Sequence, residues 1–99
     1  MARPPKTRII DCLPEATYFK PRGIPLCELE EVVLSADEVE ALRLADIECL
    51  YQENAAGCMR VSRQTFGNIL RAAHRKVADA VVNSKALKIE GGHVVVKHP

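Results

Sequence analysis

Apolar residues recur at helical spacing in three stretches between Ser35 and Val82, which predicts a helical core with irregular flanks. Ser35-Ala36-Asp37-Glu38 opens the first stretch, with a hydroxyl at the N-cap, a carboxylate at N3 and Asp37 near the positive helix end. This helix should run to about Glu48. Its apolar positions (Val39, Ala41, Leu42, Leu44, Ala45, Ile47) go most of the way round the cylinder, so it must be covered on several sides. A second helix is expected from Tyr51 to about Cys58, where Ala55 and Ala56 let a crossing helix pack closely and Cys58 and Met59 can point inward. Arg60-Val61 reads as a turn, and Ser62 is a natural N-cap for a third helix. There Phe66, Ile69, Leu70, Ala73, Val77, Ala80 and Val81 form one buried stripe, and Asn83-Ser84 ends the helix after about Val82.

The flanks read differently. Met1–Arg8 is basic and holds Pro4-Pro5, which predicts an extended, mobile arm. Such an arm either touches phosphates or a minor groove, or is simply a solvated terminus. Residues 9–34 read as irregular cover: Pro14, Pro21 and Pro25 forbid a long helix, Ile9–Leu13 is a candidate short strand, and Pro21-Arg22-Gly23 is a turn. Tyr18 and Phe19 should pack onto the helices, and Leu26–Leu34 fits a short helical or an extended piece equally well. Leu87–Val96 presents two β-prone runs around Gly91-Gly92, a hairpin signal. An isolated hairpin is marginal in water, so it should lean on the helices, pair with Ile9–Leu13 or pair with another subunit. The expected architecture is therefore mainly α: one domain over residues 1–99, with a three-helix core at 35–83 and a small hairpin at 87–96.

Ninety-nine residues suit a single core, and 47% apolar residues suffice to fill it. Aromatics make up 4%, which argues against a single-stranded nucleic acid binder, since such proteins stack bases on aromatic side chains. No apolar run approaches the ~20 residues needed to span a bilayer, so neither a membrane nor a membrane partner is expected. Cys12, Cys27, Cys49 and Cys58 form no C-x-x-C pair and match no zinc spacing, so a cytoplasmic protein with buried thiols is the simplest reading.

The net charge of +1 conceals a strong asymmetry. Met1–Arg22 carries +3 and Glu28–Glu53 carries −8, while Arg60–Pro99 carries +6 with no acid between Arg60 and Lys76. A weak overall charge therefore leaves room for a polyanionic partner.

With Phe66 and Ile69 turned inward, Gln64, Asn68 and Arg71 must face outward near the start of the third helix, and Arg63 can reach the same surface from its flank. Arginine can donate two bonds to guanine, and Gln or Asn can pair bidentately with adenine. Gly67 lowers helix propensity by ~1 kcal/mol relative to alanine. That is understandable if the backbone must approach a groove wall, or if a neighbouring helix packs there. The helix N-terminus suits a phosphate, and Arg60, Arg75 and Lys76 are the remaining candidates for phosphate contact. The expected DNA-contacting set is Arg60, Ser62, Arg63, Gln64, Thr65, Gly67, Asn68, Arg71, Arg75 and Lys76.

The run EALRLADIECLYQENAAGCMRVSRQTFGNILRAAHRK resembles the helix-turn-helix of sigma-factor region four. Including CLPEATYFKPRGIPL, ELEEV, VSRQTFG and KALKIEGG, residues 2–92 resemble a small prokaryotic family of uncharacterised, predicted DNA-binding proteins. The resemblance implies a role in transcription, with recognition residues at Ser62, Arg63, Gln64, Thr65, Asn68 and Arg71. Arg60 stands where the sigma-like turn usually has glycine, and a non-glycine residue at positive φ is strained. Tyr51 stands where a small capping residue is usual.

No enzyme is expected, because His74, His93 and His98 are dispersed and no nucleophile–base or paired-carboxylate arrangement stands out. No cofactor or metal is expected either. The expected function is sequence-specific binding of double-stranded DNA, as a homodimer reading two half-sites. The rival is a protein-interaction module docking on RNA polymerase through the acidic Glu28–Glu53 region, whose acidity is otherwise a solvated face. A weaker idea is a redox or metal sensor built on Cys12 and Cys27.

Overall fold

Helices form where their caps stand. In a computed structural model that describes residues 7–92 and 94–96, the first helix, α1 (Ala36–Leu42), begins after Ser35. Glu38 reaches back to accept from the Ser35 backbone N–H and from its hydroxyl, both at 2.9 Å. The helix then widens into a π-helical turn over Arg43–Ile47, closed by the Glu48 N–H donating to the Arg43 carbonyl at 2.9 Å. The second helix, α2, spans Gln52–Met59 and the third, α3, spans Arg63–Val82.

Their shared core is Ala41, Leu44, Ala55, Ala56, Met59, Phe66, Ile69 and Leu70, with Leu42, Ala45, Leu50 and Val61 packed against it. Alanines at 55 and 56 are fully buried, which lets α2 and α3 cross closely. Phe66 is the largest side chain fully enclosed, and its burial contributes ~1.5–3 kcal/mol. Val81, expected in the same stripe, is 72% exposed, while Ala80 beside it is buried.

The flanks carry more β-structure than their prolines predict. Among the described residues, five short strands form two sheets. In one, β1 (Arg8–Ile10) pairs in parallel with β5 (Val94–Val96); in the other, β4 (Ala86–Ile89) lies between β2 (Tyr18–Phe19), antiparallel, and β3 (Glu31–Leu34), parallel. Leu26–Glu28 forms one turn of 3-10 helix, so the ambiguous Leu26–Leu34 stretch is helical at its start and extended at its end.

Among the described residues, β4 and β5 do not pair as the expected C-terminal hairpin. Both edges of β4 are taken, by β2 and β3, which leaves β5 no edge to join. Gly91 (φ 75°) and Gly92 (φ 105°) turn the chain away, and Gly91 accepts from the Ala36 N–H at 3.1 Å, tying this bend to the start of α1. Ile9–Ile10 is indeed a strand, and Arg8, expected in a mobile arm, belongs to it; residues 1–6 of that arm lie outside the described residues. Tyr18 and Phe19 build a strand, and Phe19, half exposed, borders the end of α3 beside Ala80 and Val81.

The cysteines also differ from expectation. Cys12, Cys27, Cys49 and Cys58 are free thiols and all exposed, Cys58 included, while its neighbour Met59 alone turns inward. Among the described residues no helix is long and apolar enough to cross a membrane.

Candidate nucleic-acid interface

Three residues separate α2 from α3, and their geometry sets the angle between the helices. The Val61 N–H donates to the Ala56 carbonyl at 3.0 Å and the Arg60 N–H to the Gly57 carbonyl at 3.2 Å, the paired bonds of a Schellman ending. Arg60 itself adopts the left-handed conformation (φ 56°, ψ 44°) where glycine is usual. Val61 then packs on the core, and Ser62 starts α3 by accepting from the Thr65 N–H at 3.0 Å. The Ser62 hydroxyl donates in turn to the Thr65 hydroxyl at 2.9 Å.

Burial of Phe66, Ile69, Leu70 and Ala73 fixes the rotation of α3. Arg63, Gln64, Gly67, Asn68 and Arg71 therefore share one open depression, joined from α2 by Gln52. Arg71 donates to the Asn68 side-chain carbonyl at 3.2 Å, which orients the amide along this face. A Cβ on Gly67 would stand 3.3 Å from the Gln52 side-chain oxygen, so the glycine opens space between two polar side chains. Gln52 was not singled out from sequence. Its only signal is an exposed polar residue at the first position of α2.

The other candidates separate into groups. Arg60, Ser62 and Thr65 line a second depression around the corner of the helix start, where Arg8 of β1 joins them. Arg75 stands with Asn68 and Arg71 on a groove that continues along α3 toward Val82. Lys76 also borders that groove, but its ammonium is 2.7 Å from Glu38 of α1. His74 leaves the groove as well, with Nε2 2.7 Å from an Asp46 carboxylate oxygen.

Among the described residues, Arg60, Arg63, Arg71 and Arg75 have no carboxylate within ion-pairing distance. The acidic stretch is largely committed elsewhere. Asp37, Glu38 and Glu40 are buried, facing Arg8, Lys76 and Arg43 respectively. Glu40 also accepts from the Asp11 backbone N–H at 2.7 Å. Glu31 accepts from the Tyr18 hydroxyl at 2.7 Å, a bond that holds the phenol above its ordinary pKa, and Glu30 lies 3.5 Å from Lys85. No three His, Cys, Asp or Glu side chains among the described residues stand close enough to hold a metal ion together.

What these features define, among the described residues, is a small mixed domain with three packed helices and a face of arginines that lack ion-pair partners. The chain belongs to a prokaryotic family described as "Protein of unknown function DUF134", whose model matches residues 1–97. It is 54% identical over 96 residues to the UPF0251 protein of Caldanaerobacter subterraneus, covering 97% of this chain and 81% of that one. It is also 57% identical over 93 residues to UPF0251 proteins of Prosthecochloris aestuarii and Moorella thermoacetica, in each case covering 94% of this chain. The chain spans 60% and 62% of those two proteins' lengths. No solved structure matches it.

Proposed function

We propose that this chain binds double-stranded DNA sequence-specifically as a transcriptional regulator, with the α2–α3 pair acting as a helix-turn-helix and α3 entering the major groove. The observation that carries the reading is the single open face holding Arg63, Gln64, Gly67, Asn68 and Arg71 near the N-terminus of α3. Such a face has arginines that can donate twice to guanine, amides that can donate to and accept from adenine, and a backbone position left bare for close approach. Its arginines are not neutralised by the chain's own acids, so their charge is available to a polyanion. A homodimer would set two such helices about one helical repeat of DNA apart, ~34 Å.

Selection of bound fragments from random duplex DNA tests this directly. Enrichment of a common motif, palindromic if the protein acts as a dimer, is the expected result. Recovery of no motif, with binding indifferent to salt, would sink it. The alternative, docking on the transcription machinery through the acidic region, would have to use its exposed carboxylates, such as Glu28 and Glu53, because Asp37, Glu38 and Glu40 are buried and paired.

A further inference from the structure

We infer that Arg8 and Arg60 form a seat for one backbone phosphate of duplex DNA, beside the base-reading face; the inference rests on the DNA-binding reading above. The seat is a depression of about 440 Å³ lined by Arg8, Arg60, Val61, Ser62 and Thr65. Two arginines from distant parts of the chain line it, one carried by β1 and one by the α2–α3 turn, and no acid is among the lining residues.

The two arginines are held differently. Arg8 is anchored: its side chain is 17% exposed, and Asp37 stands 3.7 Å from one terminal nitrogen, too far for a good hydrogen bond. The Arg8 Nε is buried with no hydrogen-bond partner among the described residues. Arg60 is exposed and meets no carboxylate among the described residues. The start of α3 adds its positive end, because the Ser62 side chain takes only the Thr65 N–H and leaves those of Arg63 and Gln64 without intrahelical acceptors.

Charge selects the ligand. Two arginines against Asp37 leave one excess positive charge, which matches a phosphodiester monoanion better than a free phosphate dianion. Position agrees, since Thr65 lies about one turn of α3 before Asn68. A backbone phosphate here would fix the depth and rotation of α3 in the groove without reading sequence.

The test uses the full chain, a labelled mixed-sequence duplex and the variants Arg60→Gly, Arg8→Gln and, as a control outside the seat, Arg75→Ala. Arg60→Gly should bind about tenfold more weakly and flatten the salt slope by about one. Its thermal stability should hold or rise, since glycine accepts the left-handed conformation freely. Arg8→Gln should show the same binding loss; if it fails to fold, Arg60→Gly decides alone. Parent-like affinity and slope for Arg60→Gly, with Arg75→Ala weakened, would overturn the seat and leave DNA binding intact. Displacement of the duplex by inorganic phosphate well beyond chloride at equal ionic strength would assign the seat to free phosphate and overturn it too. No shift of any duplex by the parent at low salt would remove both readings together.

Discussion

The Lys76 ammonium of α3 lies 2.7 Å from the Glu38 carboxylate of α1, and the same carboxylate oxygen takes both Ser35 donors. A residue on the basic helix thus serves as the counter-charge of a helix cap. Replacing Lys76 with methionine would leave Glu38, 9% exposed at its side chain, without its cation. The expected loss is about 1–3 kcal/mol in urea unfolding, typical of a buried polar group that loses a partner. A second change, Glu38→Gln, should recover part of it in a double-mutant cycle. Full additivity of the two changes would show that the pair is not coupled.

Arg63→Ala and Gln64→Ala should each lower affinity for a selected site by ~1–3 kcal/mol and relax preference at one base step. Arg75→Ala should weaken all duplexes alike. Competition binding against single-base variants of the selected site separates the two behaviours. If Arg63 and Gln64 variants bind like the parent, α3 presents another face to DNA.

Gly67→Ala tests whether the bare backbone serves packing or approach. Alanine gains helix propensity of up to ~1 kcal/mol, and the only near neighbour is the movable end of Gln52 at 3.3 Å. Stability should therefore hold or rise while DNA affinity falls several-fold. Lower stability with unchanged affinity would mean that the glycine matters for packing alone.

Gly92→Ala should be harmful for the fold. At φ 105° an alanine is strained, and its Cβ would lie 2.9 Å from an Asp37 carboxylate oxygen and 3.3 Å from the Ala36 nitrogen. A loss of about 1–3 kcal/mol is expected, measured as a lower denaturation midpoint. Gly23→Ala is the useful contrast, strained in φ but meeting nothing.

At the far end of α3, hydrogen bonds from Asn83 and then Lys85 hold the Asp79 carboxyl below its ordinary range. A lowered folded-state pKa means stability that is present above the unfolded value, about 3.9, and lost as pH falls through the lower folded one. Asp79→Asn should therefore melt below the parent near neutral pH, with the two curves converging as pH drops below about 4. The Asp79 side chain is 35% exposed, so the difference should be small and shrink in high salt.

Much of the helical part is legible in the residues themselves. Ser35, Ser62 and Asn83-Ser84 mark helix limits because capping is local chemistry, and the Phe66–Ile69–Leu70–Ala73 stripe marks the buried face because period 3.6 is local geometry. Strand partners are not local. Ala86–Ile89 has β-prone residues, but nothing in them says that β2 and β3 will take both edges and send Val94–Val96 to Arg8–Ile10 instead. The same limit applies to the candidate site. Arg63, Gln64, Asn68 and Arg71 share a face by helical arithmetic, whereas the approach of Arg8 to Arg60 and of Gln52 to Gly67 depends on tertiary packing. Lys76 looks like its basic neighbours until α1 is laid beside it.

The pairing of Arg8 with Val94 also bears on how the chain assembles as it is made. The helices can gather while synthesis continues, since their contacts lie close along the chain. The strand that carries Arg8 must wait until the residues around Val95 leave the ribosome before it finds its neighbour. The β1–β5 pair is thus expected to close after the helices have gathered, because its two strands are separated by all three of them.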